Sequence, residues 1–103
     1  MGRNVMKDVL VCWSGIETRP WRDASAFVLR INRLGPVAYI DLDSTTFPER
    51  HLAALAKCCL FRWKHGTDWF VAQTSHVGHG PRDSRVISVT ARVLGVVEPE
   101  RVD

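Results

Sequence analysis

The chain has 103 residues, of which 46% are hydrophobic and 24% charged, and these values fit one ordinary globular domain spanning residues 1–103. No apolar run approaches the roughly 18 residues of a membrane span, and the amino terminus lacks the apolar core of a secretory signal, so we expect a cytoplasmic protein with no membrane partner. The three cysteines, an odd number with an adjacent pair, argue against a disulfide framework and favour reduced packing residues.

The formal net charge of +3 lies mostly in the second half of the chain. Residues 47–92 carry seven lysines and arginines against three acidic residues, and arginine outnumbers lysine eleven to three in the whole chain. Arginine is the planar, weakly hydrated cation that suits phosphates and ring faces. The charge is therefore compatible with a polyanionic partner and does not require one.

The first part of the chain contains one clear strand and one ambiguous element. Residues 8–13 form a short apolar run that is typical of a buried strand. Residues 23–34 fit a helix that Asp23 caps and Gly35-Pro36 ends, and this interpretation is preferred because it accounts for more residues. The same residues also fit an alternating strand that turns at Gly35-Pro36 into a hairpin.

Residues 37–43 are predicted to be a strand, and residues 46–66 are predicted to be a helix with signals at both ends. Thr46 and Glu49 match the capping-box pattern at the start of a helix. Gly66 can end the helix because glycine adopts the left-handed conformation of a C-terminal cap. Between these signals the apolar residues recur with helical periodicity, which places a core face on one side.

The opposite face of this helix carries three cations, Arg50, Lys57 and Lys64, and one aromatic residue, Phe61. Burying a Phe side chain contributes roughly 1.5–3 kcal/mol, so a Phe on a solvent-facing surface needs a partner. One interpretation is that another element of the fold, or a second subunit, covers Phe61. The other is that Phe61 stacks on a nucleobase while the flanking cations bind phosphates.

The second half of the chain continues with two strands joined by a polar loop. Residues 68–74 and 85–97 are predicted strands, and the second alternates between apolar and polar positions. Residues 75–84 between them are rich in Gly, His and Arg, which are the components of an anion cradle. Arg82 and Arg85 are therefore candidates for phosphate contact.

Histidines near this loop offer a candidate set of metal ligands. His76 and His79, with His65 and Asp68 nearby in sequence, carry the right donor atoms for a divalent ion. The spacing lacks a helix or a cysteine pair to fix the geometry, and this favours exposed loop histidines. The sequence therefore predicts neither a metal site nor a cofactor.

Asp41 and Asp43 end an apolar strand in the pattern Asp-x-Asp-x-Thr. Over residues 37–45 the chain resembles the first motif of the haloacid dehalogenase phosphatase superfamily. The resemblance implies that Asp41 attacks phosphorus, that Asp43 acts as acid and base, and that a bridging Mg²⁺ ion takes part. The family also needs a lysine and an acidic pair on later strands, which this sequence does not supply, so a phosphohydrolase is a remote alternative.

The predicted order β-α-β-α-β-β gives an α/β (α+β) fold in which two helices pack on a mixed four-stranded sheet as a two-layer sandwich. The first β-α-β unit implies a parallel pair of strands joined by a right-handed crossover. If residues 23–34 are a strand instead, the fold becomes a curled antiparallel sheet that holds one helix.

The sequence favours a small, soluble, non-catalytic module that contacts nucleic acid through the basic helix face and the loop. The expected contact residues include one tryptophan in a turn and are Arg50, Lys57, Phe61, Lys64, Arg82, Arg85 and Trp21. The alternative is a protein-interaction or small-ligand module that acts as a homo-oligomer. In that case Phe61 and Trp21 are interface anchors, and the strand at residues 85–97 pairs across subunits.

Overall fold

The computed structural model describes residues 7–13, 21–57, 59–79 and 85–97. Its strands in chain order are β1 (Val9–Cys12), β2 (Arg22–Asp23), β3 (Val28–Leu34), β4 (Val37–Asp43), β5 (Leu60–His65), β6 (Asp68–His79) and β7 (Val86–Val97). One helical segment, made of a 3₁₀ turn (Glu49–His51) and the short helix α1 (Leu52–Leu55), lies between β4 and β5.

All seven strands belong to one sheet, in the order β2-β1-β5-β6-β7-β4-β3, and every neighbouring pair is antiparallel. The prediction of a mixed four-stranded sheet with two helices is therefore wrong. The preferred helix at residues 23–34 is strand β3, and β1 and β4 do not pair, because β5, β6 and β7 lie between them. The alternative of a curled antiparallel sheet with one helix describes the fold.

Two glycines that the sequence suggested as helix ends instead sit in hairpin turns. Gly35 has φ +65° between the paired residues Leu34 and Val37, and Gly66 has φ +67° between His65 and Asp68. A two-residue hairpin turn requires a positive φ, which glycine adopts without steric cost. The left-handed conformation expected at both glycines is present, but each one reverses a strand rather than ending a helix.

The helix predicted for residues 46–66 is wrong over most of its length. The N-cap residue of the 3₁₀ turn is Pro48, with no side-chain cap, so the capping box does not form. Helix α1 covers only four residues, and from Leu60 the chain is strand β5. Residues of β5 pair with β1 on one side and β6 on the other, and this tertiary pairing outweighs a weak local preference for helix.

The core lies on one face of the curled sheet, which we call the inner face, and the helical segment covers one end of it. Register shifts between β6 and β7, at Val71/Ala72 and Thr74/His76, mark β-bulges, which bend and twist the sheet around this core. The largest core side chains come from the turn before β3, from β4, β5 and β6, and from the helical region. They include Phe27, Ile40, Leu42, Phe47, Leu55, Phe61, Trp63 and Phe70.

Thr74 is a buried polar residue that joins the helical segment to the sheet. Its hydroxyl donates to the carbonyl of Leu55 at 2.8 Å and accepts from the amide of Cys59 at 3.0 Å. The amide of Thr74 in turn donates to the carbonyl of Cys59 at 2.8 Å. These bonds satisfy backbone groups at the end of α1 and just before β5, where no ladder partner is present.

Two of the three cysteines lie in the described part of the chain, and both are buried. Burial raises the pKa of the Cys59 thiol to about 12, and the nearby Cys12 adds to that rise. Cys59 therefore stays a neutral thiol at physiological pH and fits the packing role expected for it. Cys58 lies outside the described residues.

Candidate functional site

The predicted contact residues on the supposed helix do not share one surface. Arg50 is exposed in the 3₁₀ turn, and Lys57 is exposed after α1. Lys64 is exposed on β5, where it points away from the core. The basic strip that a continuous helix would have formed is therefore divided between the helical segment and the sheet.

Phe61 is not on the surface. It is 0% exposed and packs in the main core, since positions on β5 alternate and Phe61 and Trp63 point inward. The expectation that Phe61 is displayed among cations is wrong. Neither base stacking nor an interface anchor role is open to a side chain in this position.

The other predicted contacts have mixed outcomes. Trp21 is half-buried and packs against a small second cluster formed by Cys12, Leu60 and Val71, so it covers apolar surface of its own chain. Arg85 is exposed just before β7, and its carbonyl accepts the amide of Ser44 at 2.8 Å.

The polar loop expected at residues 75–84 is only partly present as a loop. Residues 75–79 continue strand β6, and residues 80–84, with Arg82, lie outside the described residues. The predicted anion cradle at these positions is therefore partly replaced by regular sheet.

Strand β7 cannot pair across subunits over residues 86–92, as the alternative interpretation expected, because it is hydrogen-bonded there to β6 on one side and to β4 on the other. The ladder with β4 ends at Arg92, and the rest of β7 pairs with β6. The strands at the two edges of the sheet are β2 and β3.

Charged and aromatic side chains instead gather on the side of the sheet that faces away from the core. We call this surface the outer face and define it by outward positions on β4, β5, β6 and β7. They include Tyr39, Arg62, Lys64, Trp69, Gln73, His76, Thr90 and Arg92. The acidic residues Asp41 and Asp43 of β4 lie on the same side, as do the buried residues Leu60 and Val71.

Register fixes how the members of the outer face lie relative to one another. Tyr39 and His76 both pair with Thr90, so the three form one row across β4, β7 and β6. Arg92 pairs with Gln73 in the next outward row. Neighbouring strands are about 4.8 Å apart, so the side chains of one row are close neighbours.

The outward charged residues of β5, β6 and β7 are cations. Strands β5, β6 and β7 contain one acidic residue, Asp68, which by alternation lies on the opposite face from Trp69. The outward cations of these strands are Arg62, Lys64 and Arg92. No carboxylate among the outward residues of these three strands offsets the positive charge of the three cations.

The acidic residues of β4 are engaged in local contacts. Asp41 accepts a charged hydrogen bond from Nε of Arg30 at 2.9 Å. Asp43 accepts the amide and the hydroxyl of Thr45 at 2.9 and 2.6 Å, which makes it the first residue of a tight turn. Strand β4 pairs antiparallel with both β3 and β7. The phosphatase resemblance requires Asp41 and Asp43 to lie at the carboxyl end of a strand in a parallel sheet, and β4 does not provide that setting.

Arg62 has an unusual environment at one end of the outer face. Its guanidinium carbon lies 5.2 Å from the ring centroid of Trp21 and 6.0 Å from that of Trp69. Its Nε atom is buried and has no hydrogen-bond partner among the residues that the structure describes. The two indoles provide cation–π attraction where most partly buried arginines have an ion pair.

Neither a metal cluster nor a membrane-spanning helix occurs in the part of the chain that the structure describes. Within residues 7–13, 21–57, 59–79 and 85–97, no group of three or more His, Cys, Asp and Glu side chains is placed to hold a metal ion. Over the same residues, no helix has the length and apolar character needed to cross a membrane.

Comparison of the chain with protein-family models, with curated proteins and with solved structures gave no match.

The sequence interpretation missed Tyr39, His76 and Arg92 as members of one surface. The alternation of residues 85–97 placed Arg92 and Thr90 on the same face, and that part of the pattern was informative. The link to Tyr39 and His76 depends on the pairing of β7 with two other strands, and the sequence contains no local signal for that pairing.

Proposed function

We propose that this chain is a non-catalytic module that binds single-stranded nucleic acid on the outer face, in the cytoplasm. One observation carries the proposal. The central strands bring Arg62, Lys64 and Arg92 to the same side of the sheet as the exposed ring of Tyr39, and none of the outward residues of β5, β6 and β7 is acidic. The outward acids of β4, Asp41 and Asp43, are bonded to Arg30 and Thr45. This combination of cations and aromatic rings is the usual basis of binding without sequence preference.

Each group on this surface has a role that its chemistry supports. Arg92 and Lys64 are exposed and contact phosphates. Tyr39 is 45% exposed and offers a ring face to an unstacked base, and His76 in the same row offers a second. Arg62, held against two indoles, adds positive charge at the far end of the surface.

The shape of the surface favours single strands over duplexes. The major groove of B-DNA admits a helix or a two-stranded ribbon, whereas the outer face spans four adjacent strands. Unpaired bases can splay onto such a sheet, and comparable sheet platforms bind roughly 4–16 nucleotides.

A second candidate is self-association or a protein partner at the β3–β4 hairpin. Leu34 is 59% exposed there, beside half-buried Val37. An apolar pair beside the exposed ring of Tyr39 is a composition that protein interfaces favour. Light scattering distinguishes this candidate from the first. An interface at this hairpin predicts an oligomer that the Leu34→Asp substitution dissociates, and the nucleic-acid proposal makes no such prediction.

The experiment that tests the nucleic-acid proposal measures fluorescence anisotropy of a labelled mixed-sequence oligonucleotide, single-stranded or duplex, at several salt concentrations. We expect the single strand to bind more tightly, with a logarithmic salt slope of about −0.7 per phosphate contact. We expect Arg92→Ala to weaken binding and to reduce the slope by about one contact. Arg50→Ala is the matched control, since Arg50 is also exposed but lies in the 3₁₀ turn.

An affinity that does not change with salt contradicts the proposal. So does an equal loss of binding in Arg50→Ala and Arg92→Ala, because that result places the contact outside the outer face.

A further inference from the structure

A cleft of about 380 Å³ lies between the turn that follows β4 and the start of β7, beside the helical segment. Apolar and polar side chains both line it, and they are Ser44, Thr45, Phe47, Glu49, Leu52 and Ile87. Ile87 belongs to the inner face of the sheet, so this cleft is separate from the outer face.

The floor of the cleft is apolar and held in place by packing. Phe47 and Ile87 are both buried core residues. The Phe47 ring lies edge-on to Phe27 at 5.0 Å and to Trp13 at 5.7 Å, and its amide donates to the carbonyl of Asp43 at 2.9 Å. A side chain fixed by two aromatic neighbours gives the cleft a preformed shape.

The polar rim is fixed by backbone and side-chain hydrogen bonds. The amide of Ser44 donates to the carbonyl of Arg85 at 2.8 Å, which ties the turn to the beginning of β7. The hydroxyl and amide of Thr45 both donate to the carboxylate of Asp43. The Ser44 backbone and the Thr45 hydroxyl are therefore held in place, and the Thr45 oxygen keeps acceptor capacity.

Glu49 supplies the charge of the rim. It is exposed in the first turn of the helical segment, and it forms no ion pair with any residue that the structure describes. The charged side chain that lines the cleft is thus an acid, and no lysine or arginine is among the six lining residues.

We propose that this cleft binds a small organic cation, in which an ammonium group is joined to an apolar ring or short chain. The apolar part packs on Phe47 and Ile87, and the ammonium group donates to the Glu49 carboxylate and the rim hydroxyls. The volume is at the lower end of the roughly 300–1,000 Å³ typical of ligand pockets, which restricts the ligand to a small molecule.

The test uses three probes of similar shape that differ in charge. These are 2-phenylethylammonium, 2-phenylethanol and 3-phenylpropionate, each titrated into the ¹⁵N-labelled full chain. We expect the ammonium probe to bind most tightly and to shift amide signals of Ser44, Thr45 and Leu52. We expect Glu49→Gln to weaken it about tenfold or more, since a hydrogen bond to a charged group is lost.

Asp68→Asn serves as the matched control, because Asp68 is an exposed acid in the β5–β6 hairpin, away from the cleft. Unchanged binding in this variant supports the assignment to Glu49. Three results overturn the proposal: equal binding of the alcohol and the ammonium probe, no effect of Glu49→Gln, or no shift of the cleft amides at millimolar probe.

Discussion

The difference between the two faces of the sheet is visible within four consecutive residues of strand β5, residues 61–64. Phe61 and Trp63 point inward and are buried, whereas Arg62 and Lys64 point outward. A helical period places Phe61 with the cations, but the strand period of two places it with the core. Lys64 faces solvent under either period, so an exposed cation is a more secure inference than an exposed aromatic residue.

The two faces differ most in what a truncated side chain does to stability. We expect Phe61→Ala to lower the free energy of unfolding by about 3–5 kcal/mol, since it leaves a cavity in the core. Tyr39→Ala on the outer face is the control, and we expect it to change stability by less than about 1 kcal/mol. Urea denaturation measures both, and equal losses would show that the two faces are not distinct.

Thr74 and Thr90 allow a buried hydroxyl to be compared with one on the outer face. We expect Thr74→Val to destabilise the protein by about 1–3 kcal/mol, because the amide of Cys59 loses its hydrogen-bond acceptor. Thr90→Val is isosteric and lies on the outer face, where we expect a change within about 0.5 kcal/mol. Thermal denaturation of the two variants makes the comparison, and a Thr74→Val protein as stable as the parent is the contrary outcome.

Alkaline pH affects the core through the Cys59 thiol. The folded-state pKa of about 12 lies above the usual 9.0 of a cysteine thiol. The stability that the buried neutral thiol contributes is therefore complete below pH 9 and is lost as pH rises toward 12. We expect a slope approaching about 1.4 kcal/mol per pH unit in that window. The Cys59→Ala substitution removes the titrating thiol. The difference between the slopes of stability against pH in the parent and the variant measures the contribution of that thiol. Identical slopes in both proteins would contradict the assignment.

The smallest effect belongs to the ion pair between Arg30 and Asp41. The Arg30 side chain is 78% exposed, so solvent screens the pair, and we expect a coupling energy of at most about 1 kcal/mol. A double-mutant cycle with Arg30→Ala and Asp41→Ala measures it. A much larger coupling would mean that the β3–β4 surface is less accessible to water than the structure indicates.

Strands with a strict period of two were predictable from the sequence. The boundaries expected for residues 37–43 match strand β4, and the run at residues 85–97 differs from β7 by one residue at its start. Strand β6 begins where expected but continues to His79, because a polar composition does not prevent pairing between two long strands.

Elements with two compatible periods were not predictable in the same way. Residues 23–34 fit both a helix and a strand, and the hairpin with β4 determines which one forms. The capping signals at Thr46 and Glu49 were genuine sequence patterns, but the β-sheet partners of residues 60–65 come from β1 and β6. Long-range pairing of this kind has no local signature in a single sequence.

The candidate site was only partly predictable for the same reason. Of the seven predicted contact residues, Lys64 lies on the outer face, and Trp21 packs against Arg62 at one end of it. The other members of this surface become neighbours only through the register of β4, β6 and β7.

The most direct test of the outer face as the contact surface is mapping of amide chemical shifts during titration with a single-stranded oligonucleotide. We expect the largest changes at Tyr39, His76 and Arg92, and none at Arg50 or Lys57. Changes centred on Arg50 and Lys57, with the amides of the outer face unmoved, would contradict it.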